Sequence, residues 1–333
     1  MTESSLPSSP RPPAHEDSVA PATQAIDGEV LAPQGAVEGT LEAGLQFKVR
    51  SQWSYARMRF FRHRLALLGL FGLIVIFGAG IFANYIAPGG FSKINLNDFQ
   101  YLAHPSSKHL FGTDEIGRDE FNRVIWGIRT SMEVGVFVAI VSSLIGMFVG
   151  AVAGYYGGWI DNLLMRLTDL VLTLPALAIL LTASALLGQG SQWRISGILV
   201  AFFWTGIARV VRGVYLSLRE KEYVEAAKAS GAGDMRLMFR HILPNTLGPI
   251  IVNGTLAVGT AILVEAALSF LNLGIKPPTP SLGGLINEGQ ANPQQWWLTI
   301  FPGFTIVLIV LCVNFVGDGL RDALDPAQRR VRA

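Results

Sequence analysis

Carboxylates and guanidines crowd one short block of this 333-residue chain, where Asp114, Glu115, Asp119 and Glu120 alternate with Arg118 and Arg123. Clustered acidic oxygens are what a hard cation requires. The interleaved arginines oppose that use, and the block is better read as a self-neutralising structural turn. The five histidines are scattered, and no Ser/His/Asp, two-carboxylate or His/Cys ligand constellation is identifiable. No segment carries the GxxxxGK[ST] loop that cradles nucleotide phosphates. The single cysteine, Cys312, leaves no internal disulfide or multi-thiolate site, and its apolar neighbours make it a small buried hydrophobe. Neither catalysis nor metal binding is expected of this chain. What remains is a charged stretch rich in small residues at 217–245, whose chemistry is that of a docking surface.

The elements that hold this stretch are apolar. Half of the residues are hydrophobic and 15% are charged, against roughly 25% charged in a soluble domain, and the mean hydropathy is +0.41. That balance points to a chain that crosses a membrane several times. A net charge of +2 gives no reason to expect a nucleic-acid partner. About twenty apolar residues cross the hydrocarbon core, and six such runs are expected at 65–87, 130–153, 167–187, 195–214, 247–271 and 298–316.

Charge sets the expected orientation. Lys48, Arg50, Arg57, Arg59, Arg62 and Arg64 precede the first run, and Arg209, Arg212, Arg219, Lys221, Lys228, Arg236 and Arg240 gather around the docking stretch. The loops at 188–194 and 272–297 hold only Arg194 and Lys276. Positive residues stay in the cytoplasm, so both termini are expected inside, with Arg321, Arg329, Arg330 and Arg332 holding the second. The long outer loop at 88–126 carries Lys93, Lys108, Arg118 and Arg123, which the rule tolerates in longer loops. Residues 1–47 are rich in Pro, Ser, Ala, Glu and Asp and are expected to be a disordered cytoplasmic tail, not a signal peptide.

Several positions within the runs carry expectations of their own. Gly146, Gly150 and Gly154, spaced by four, predict a seam where two helix backbones meet closely. Tyr155, Tyr156 and Trp159 are expected at a headgroup belt, in a short inner turn that also holds Arg166, and Trp296-Trp297 at an interface anchor. Arg209 and Arg212 are expected to snorkel. Ionisable residues inside a span are functional candidates by default. Asp169 lies near an interface and near Arg166, which favours a structural pair or a hydrated end. Glu265 has no basic neighbour, and it is either a polar contact or gate in a translocation path or an interhelical hydrogen bond near the outer face.

Within 217–245, Ser217 and Glu220 have the form of a capping box, and Tyr223, Ala226, Ala227 and Ser230 fall on one small-residue helical face. Gly231 and Gly233 supply the permissive backbone that ends this helix, Asp234 is placed to cap a second one, and Pro244 to close it. Two short helices at an angle on the membrane surface are expected.

Glu225-Ala226-Ala227, Gly231 and Leu243-Pro244 resemble, residue for residue and at matching spacing, the EAA loop of ABC importer permeases. Where the general pattern has an aliphatic residue this chain has His241, and His241-Ile242-Leu243-Pro244-Asn245 is similar to the dipeptide/oligopeptide/nickel subfamily. Phe111-Gly112-Thr113-Asp114-Glu115 with Gly117-Arg118-Asp119, Gly154-Tyr155-Tyr156-Gly157-Gly158-Trp159, Glu265-Ala266-Ala267-Leu268-Ser269-Phe270-Leu271 and Gly317-Asp318-Gly319-Leu320-Arg321-Asp322 resemble its second, C-type permease subunit. The likeness runs from about Arg57 to the C-terminus. It departs at Asp325-Pro326-Ala327, where the family has an Arg after the Pro, and that puts one basic contact in doubt.

The resemblance implies an all-α, polytopic type I importer permease with about six transmembrane helices. It divides the chain into a tail at 1–47, a region at 48–129 with the first span and a long outer loop, a transmembrane domain at 130–320 and a tail at 321–333. It makes 217–245 a coupling helix inserted into a groove of a cytoplasmic ATPase, with Tyr223, Glu225, Ala226, Ala227, Gly231, His241, Leu243 and Pro244 as the contact residues. Implied partners are a homologous permease, two ATPase subunits that bind the ATP and magnesium, and an extracytoplasmic binding protein that delivers substrate in the bacterial plasma membrane. The acidic block is then, as a second reading, a contact for that delivering protein. Dipeptides or oligopeptides are the expected cargo, with nickel, glutathione or another small solute as alternatives. An ion-coupled secondary transporter and a non-transporting scaffold are the rivals of other classes. Both predict that substituting Glu225 or Gly231 leaves activity intact.

Overall fold

The computed structural model describes residues 52–94, 101–187 and 190–324. The expected tail at 1–47 and the departure at 325–327 lie outside the described residues. Among the described residues every element is helical, apart from isolated bridges pairing Ile94 with Arg118 and Thr113 with Asp119.

Helix α1 (Gln52–Phe60) leads into α2 (Arg64–Ile81), whose first turn is capped by His63 Nδ1 accepting from the Ala66 amide at 3.1 Å. A short α3 (Ala83–Ile86) follows. The second span was expected from 130, but α4 runs Glu120–Tyr156, ten residues earlier, because the Asp119 carboxylate caps it by accepting from the Asn122 amide at 3.2 Å. Gly157 and Gly158, with φ of +65° and +56°, make the whole turn into α5 (Gly158–Thr173), so Arg166 belongs to a helix and not to the expected inner turn.

The third expected span is broken. α5 and α6 (Ala176–Leu187) meet at 84° across Leu174 and Pro175. Proline cannot donate the helical hydrogen bond and drives the residue before it out of the helical region, and Leu174 accordingly sits at φ −72°, ψ 140°. Then come α7 (Gln192–Arg219), α8 (Glu222–Ala229), α9 (Asp234–Arg236), a π-helical turn (Leu237–Ile242), α10 (Leu243–Phe270), α11 (Leu282–Gln290) and α12 (Trp297–Leu324). Among the described residues five helices are long and apolar enough to cross a membrane, or six if the bent pair counts as one span.

Gly146, Gly150 and Gly154 of α4 lie against α7. A Cβ on Gly146 would lie 2.7 Å from the Trp204 carbonyl oxygen, and one on Gly154 would lie 2.6 Å from Tyr215 Cβ. Gly150 meets the Ala208 carbonyl as closely. Such contact is how helices gain dispersion energy where no hydrophobic force acts.

At the end of the bundle where α4 begins, the segments 101–119 and 271–296 form a cap. Phe111 stacks on Phe301 with ring centroids 4.0 Å apart, and α11 is capped by Ser281 accepting from the Gly284 amide at 3.2 Å. Trp297 corrects the expected interface anchor, since it is fully buried, donates to the Thr113 carbonyl at 3.5 Å and packs on His104. Of the two residues Trp296 is exposed.

Candidate coupling surface

The opposite end carries the arm formed by α8, α9 and the π turn. Its base differs from the expected capping box. Ser217 lies in the last turn of α7, Glu220 is the C-terminal cap of that helix, and Lys221 precedes α8 with no side-chain cap bond. The Ser-x-x-Glu pattern therefore marks an end where a beginning was expected. The chain turns here because a separate core lies beneath, in which Val224, Leu237, Met238 and Ile242 are buried with Ala151, Ile207, Val211, Tyr215 and Ile250. The Tyr215 hydroxyl donates to the Met238 carbonyl at 3.1 Å, pinning the π turn to α7.

Gly231 ends α8 by the means its residue type allows. Its φ is +85°, the Ala232 amide donates to the Ala227 carbonyl at 3.1 Å, and the Gly231 amide donates to the Lys228 carbonyl at 3.0 Å. These two bonds, six-to-one and five-to-two, form a Schellman motif that needs a left-handed residue at Gly231. Asp234 does not cap a second helix with its side chain; its Oδ1 accepts from the Tyr155 hydroxyl at 2.7 Å and ties the arm to the end of α4. Pro244 closes nothing either. It sits in the first turn of α10, where a missing amide hydrogen is harmless, and the helix continues to Phe270.

The arm thus presents Tyr223, Glu225, Ala226, Ser230 and Gly231 to the outside, while Ala227 is half-buried against the core below. Asn245 Nδ2 donates to the His241 carbonyl at 2.9 Å and to the Tyr223 hydroxyl at 3.4 Å, joining the arm's two strokes. Burial raises the Tyr223 phenol above its ordinary value, partly offset by that bond, so it stays neutral and available as a donor. His241 and Leu243 are half-buried, and Pro244 is exposed. Val224 and the Leu237, Met238, Ile242 set were not anticipated. Met238 and Ile242 stand four residues apart, a helical spacing beside Leu237, and that was the available signal. Met235 and Phe239 add exposed apolar surface to the same arm.

Two ion pairs join α5 to α7. Arg212 grips Asp161 through Nε and Nη2 at 2.5 and 2.6 Å, and Arg209 Nη2 meets Asp169 Oδ1 at 2.5 Å. Both arginines therefore pair instead of snorkelling, and the partner of Asp169 is Arg209, not Arg166. Sequence proximity pointed to the wrong arginine because α5 and α7 come together only in three dimensions.

Glu265 is fully buried in α10. Its carboxylate accepts from Ser131 of α4 at 2.9 Å and from Ser269 at 2.7 Å, so within this chain it makes interhelical and local hydrogen bonds. In the cap, Asp114 accepts from the Ile116 and Arg118 amides, from Arg118 Nε at 2.5 Å and from Arg123 Nη1 at 2.9 Å. Glu288 of α11 supplies the remaining partner, taking Arg123 Nη2 at 2.8 Å.

Residues 146–330, which include the seam, the arm and Glu265, match the model of binding-protein-dependent transport system inner membrane components. The chain belongs to that family. Residues 51–105 match the N-terminal transmembrane domain of oligopeptide transport permease C. The permease is 40% identical over 285 residues to the dipeptide transport system permease protein DppC of Alkalihalophilus pseudofirmus, covering 85% of this chain and 93% of that one. It is 42% identical over 271 residues to DppC of Bacillus subtilis, with 81% and 84% covered, and 40% identical over 287 residues to the glutathione transport system permease protein GsiD of Escherichia coli, with 84% and 92% covered. It is a multi-pass, all-α permease subunit of a binding-protein-dependent ABC importer.

Proposed function

We propose that this subunit imports dipeptides or oligopeptides as half of a translocation path, paired with a homologous permease, served by an extracytoplasmic binding protein and driven by two ATPase subunits that hold ATP and magnesium. The observation that carries this reading is the arm, an exposed small-residue surface built on its own core and tied to α4 and α7 by Tyr155–Asp234 and Tyr215–Met238. A surface so mounted moves its spans when it moves. Closure of the ATPase dimer displaces Glu225 and its helix as a rigid body, and the spans exchange an inward-facing state for an outward-facing one.

With the basic residues around the arm, that end faces the cytoplasm and the cap faces outward. The cargo reading is supported by relatives named for dipeptide and for glutathione at equal identity, since both cargoes are short peptides with free charged termini. The break at Pro175 favours an ion-coupled secondary transporter, in which discontinuous spans are common, whereas Glu265, the other residue that leans that way, is held by Ser131 and Ser269.

Reconstitution with sister permease, ATPases and binding protein in proteoliposomes separates the two. Dipeptide uptake is expected to require ATP and to vanish in the Glu225→Lys and Gly231→Pro variants while the protein remains in the membrane. Uptake that follows an ion gradient and ignores both substitutions would replace the importer reading with the secondary transporter.

A further inference from the structure

One exposed face of α7 differs chemically from the exposed faces of α2 and α12. α2 shows Leu65, Leu68, Phe71, Ile74 and Val75 outward, and α12 shows Phe304, Val307 and Leu311, all suited to lipid. α7 shows Gly197, Ala201, Gly206, Arg209 and Gly213. A Cβ on any of these three glycines would meet no atom within 4 Å, so among the described residues nothing covers the face at these positions. At 1.5 Å per residue Arg209 stands about 15 Å from Arg219 and about 25 Å from Gln192, inside the span. Its partner Asp169 lies in the last turns of α5, just before the break at Pro175, and both side chains are 50% exposed. Hydrocarbon does not solvate an exposed ion pair, and charges at such depth face a water-filled cavity or another polar surface.

We infer that this face of α7, with the end of α5, is part of the wall of the aqueous passage, and that Asp169 and Arg209 form a subsite for the charged termini of a short peptide. Arg209 takes the carboxylate and Asp169 takes the ammonium. A single hydrogen bond joins the pair, which leaves the guanidinium with further donors and the carboxylate with a further oxygen. A zwitterion inserted between them exchanges one ion pair for two and leaves no charge unpaired. The nearby Asp161–Arg212 pair shows what a brace looks like: two bonds, with Asp161 only 12% exposed. Gly206 and Gly213, above and below Arg209 on the same face, have no atom within 4 Å of where a Cβ would stand and leave lateral room for peptide side chains. The site therefore reads the termini and ignores the rest, as a conduit for varied peptides requires.

The subsite rests on the peptide reading, whereas the placement of the wall does not, and two measurements on the assembled importer separate them. Cys312 is the sole cysteine, so Cys312→Ser gives a background in which Gly206→Cys, Gly213→Cys and, as a lipid-facing control, Phe304→Cys are each treated with a charged, water-soluble thiol reagent. The first two are expected to label, at least in the ATP-free state, and the control is expected not to. Absence of labelling at both glycine positions with and without ATP overturns the wall.

In the second measurement Arg209→Gln is expected to raise KM for dialanine about tenfold, the loss of one charged contact, and to leave KM for C-terminally amidated dialanine unchanged. An equal effect on both peptides overturns the subsite. Failure of the unmodified importer to take up any dipeptide removes the cargo reading and the subsite together, while the labelling result stands on its own.

Discussion

Two clusters in this permease use the same pair of residue types and use them oppositely. In the cap, Asp114 and Arg123 have side chains 5% and 3% exposed, and Asp114 accepts four hydrogen bonds. Between α5 and α7, Asp169 and Arg209 share one contact and are half exposed. The first cluster joins the 113–119 turn and the start of α4 to α11, 165 residues beyond Arg123, and most of its bonds are made internally. The second spends little on structure and keeps its polarity for something outside the chain. An Asp–Arg pair in a membrane protein is thus not one kind of object. Burial and the number of bonds made decide whether it is a brace or a site.

The sharpest way to break this distinction is to remove one charge from the cap. Arg123→Leu removes the more deeply buried of the two arginines that Asp114 and Glu288 share and leaves Arg118, so the cost approaches but does not exceed the figure of about 3–5 kcal/mol typical of losing a buried partner outright. The expected result is a large fall in the Tm of the detergent-solubilised protein, or failure to accumulate in the membrane. A Tm unchanged from wild type would mean that the cap cluster is no brace.

The two glycine faces of α7 and its neighbour sharpen the contrast without touching charge. Gly150→Val forces side-chain atoms against the Ala208 carbonyl and Val211 Cβ, and overpacking of this kind costs about 1–3 kcal/mol. Gly206→Ala, on the open face, meets nothing and gains helix propensity of up to about 1 kcal/mol. Thermal unfolding of the pair is expected to move in opposite directions. If both fall alike, the open face is covered in the isolated subunit.

Much of this was legible in the sequence because it is written in local patterns. The seam follows from glycines at 146, 150 and 154, the end of α8 from Gly231, and the spans from apolar runs. What was missed depends on chain segments meeting at a distance. Glu288 lies 165 residues beyond Arg123, and Arg209 lies 40 residues beyond Asp169, so neither pairing has a sequence signal. The capping box at Ser217 and Glu220 failed for a different reason. The motif is too short to say which side of it is helical, and the apolar period of α7 simply ran on through Ser217. Pro175 was read inside a continuous span, although the restriction it places on Leu174 was the available warning of a break.

Within the arm, Gly231→Ala is expected to cost about 1–2 kcal/mol, since alanine resists φ +85° although its Cβ would meet no atom. Gly231→Asn, which tolerates that region, is expected to recover most of the loss. Because α8 is short and exposed, the effect should appear mainly as weakened stimulation of the ATPase by binding protein and only weakly in Tm. Equal loss in both variants would show that side-chain bulk at the docking surface matters there, and not backbone conformation.

The smallest expected effect is the one that bears hardest on the comparison. Asp169→Asn removes one half of a pair that water reaches from the open face, and exposed ion pairs contribute about 0–1 kcal/mol. Arg209 is not left buried and bare by the change, because half of its side chain is already exposed. Tm should therefore stay close to wild type, while uptake of a free dipeptide falls relative to an N-acetylated one. If Tm drops as far as it does in Arg123→Leu, the two clusters are the same kind of brace at different depths, and exposure in the single chain has misidentified a permease–permease interface as a passage wall. If Tm holds and discrimination between the two peptides is lost, the half-exposed pair is where this conduit touches its cargo.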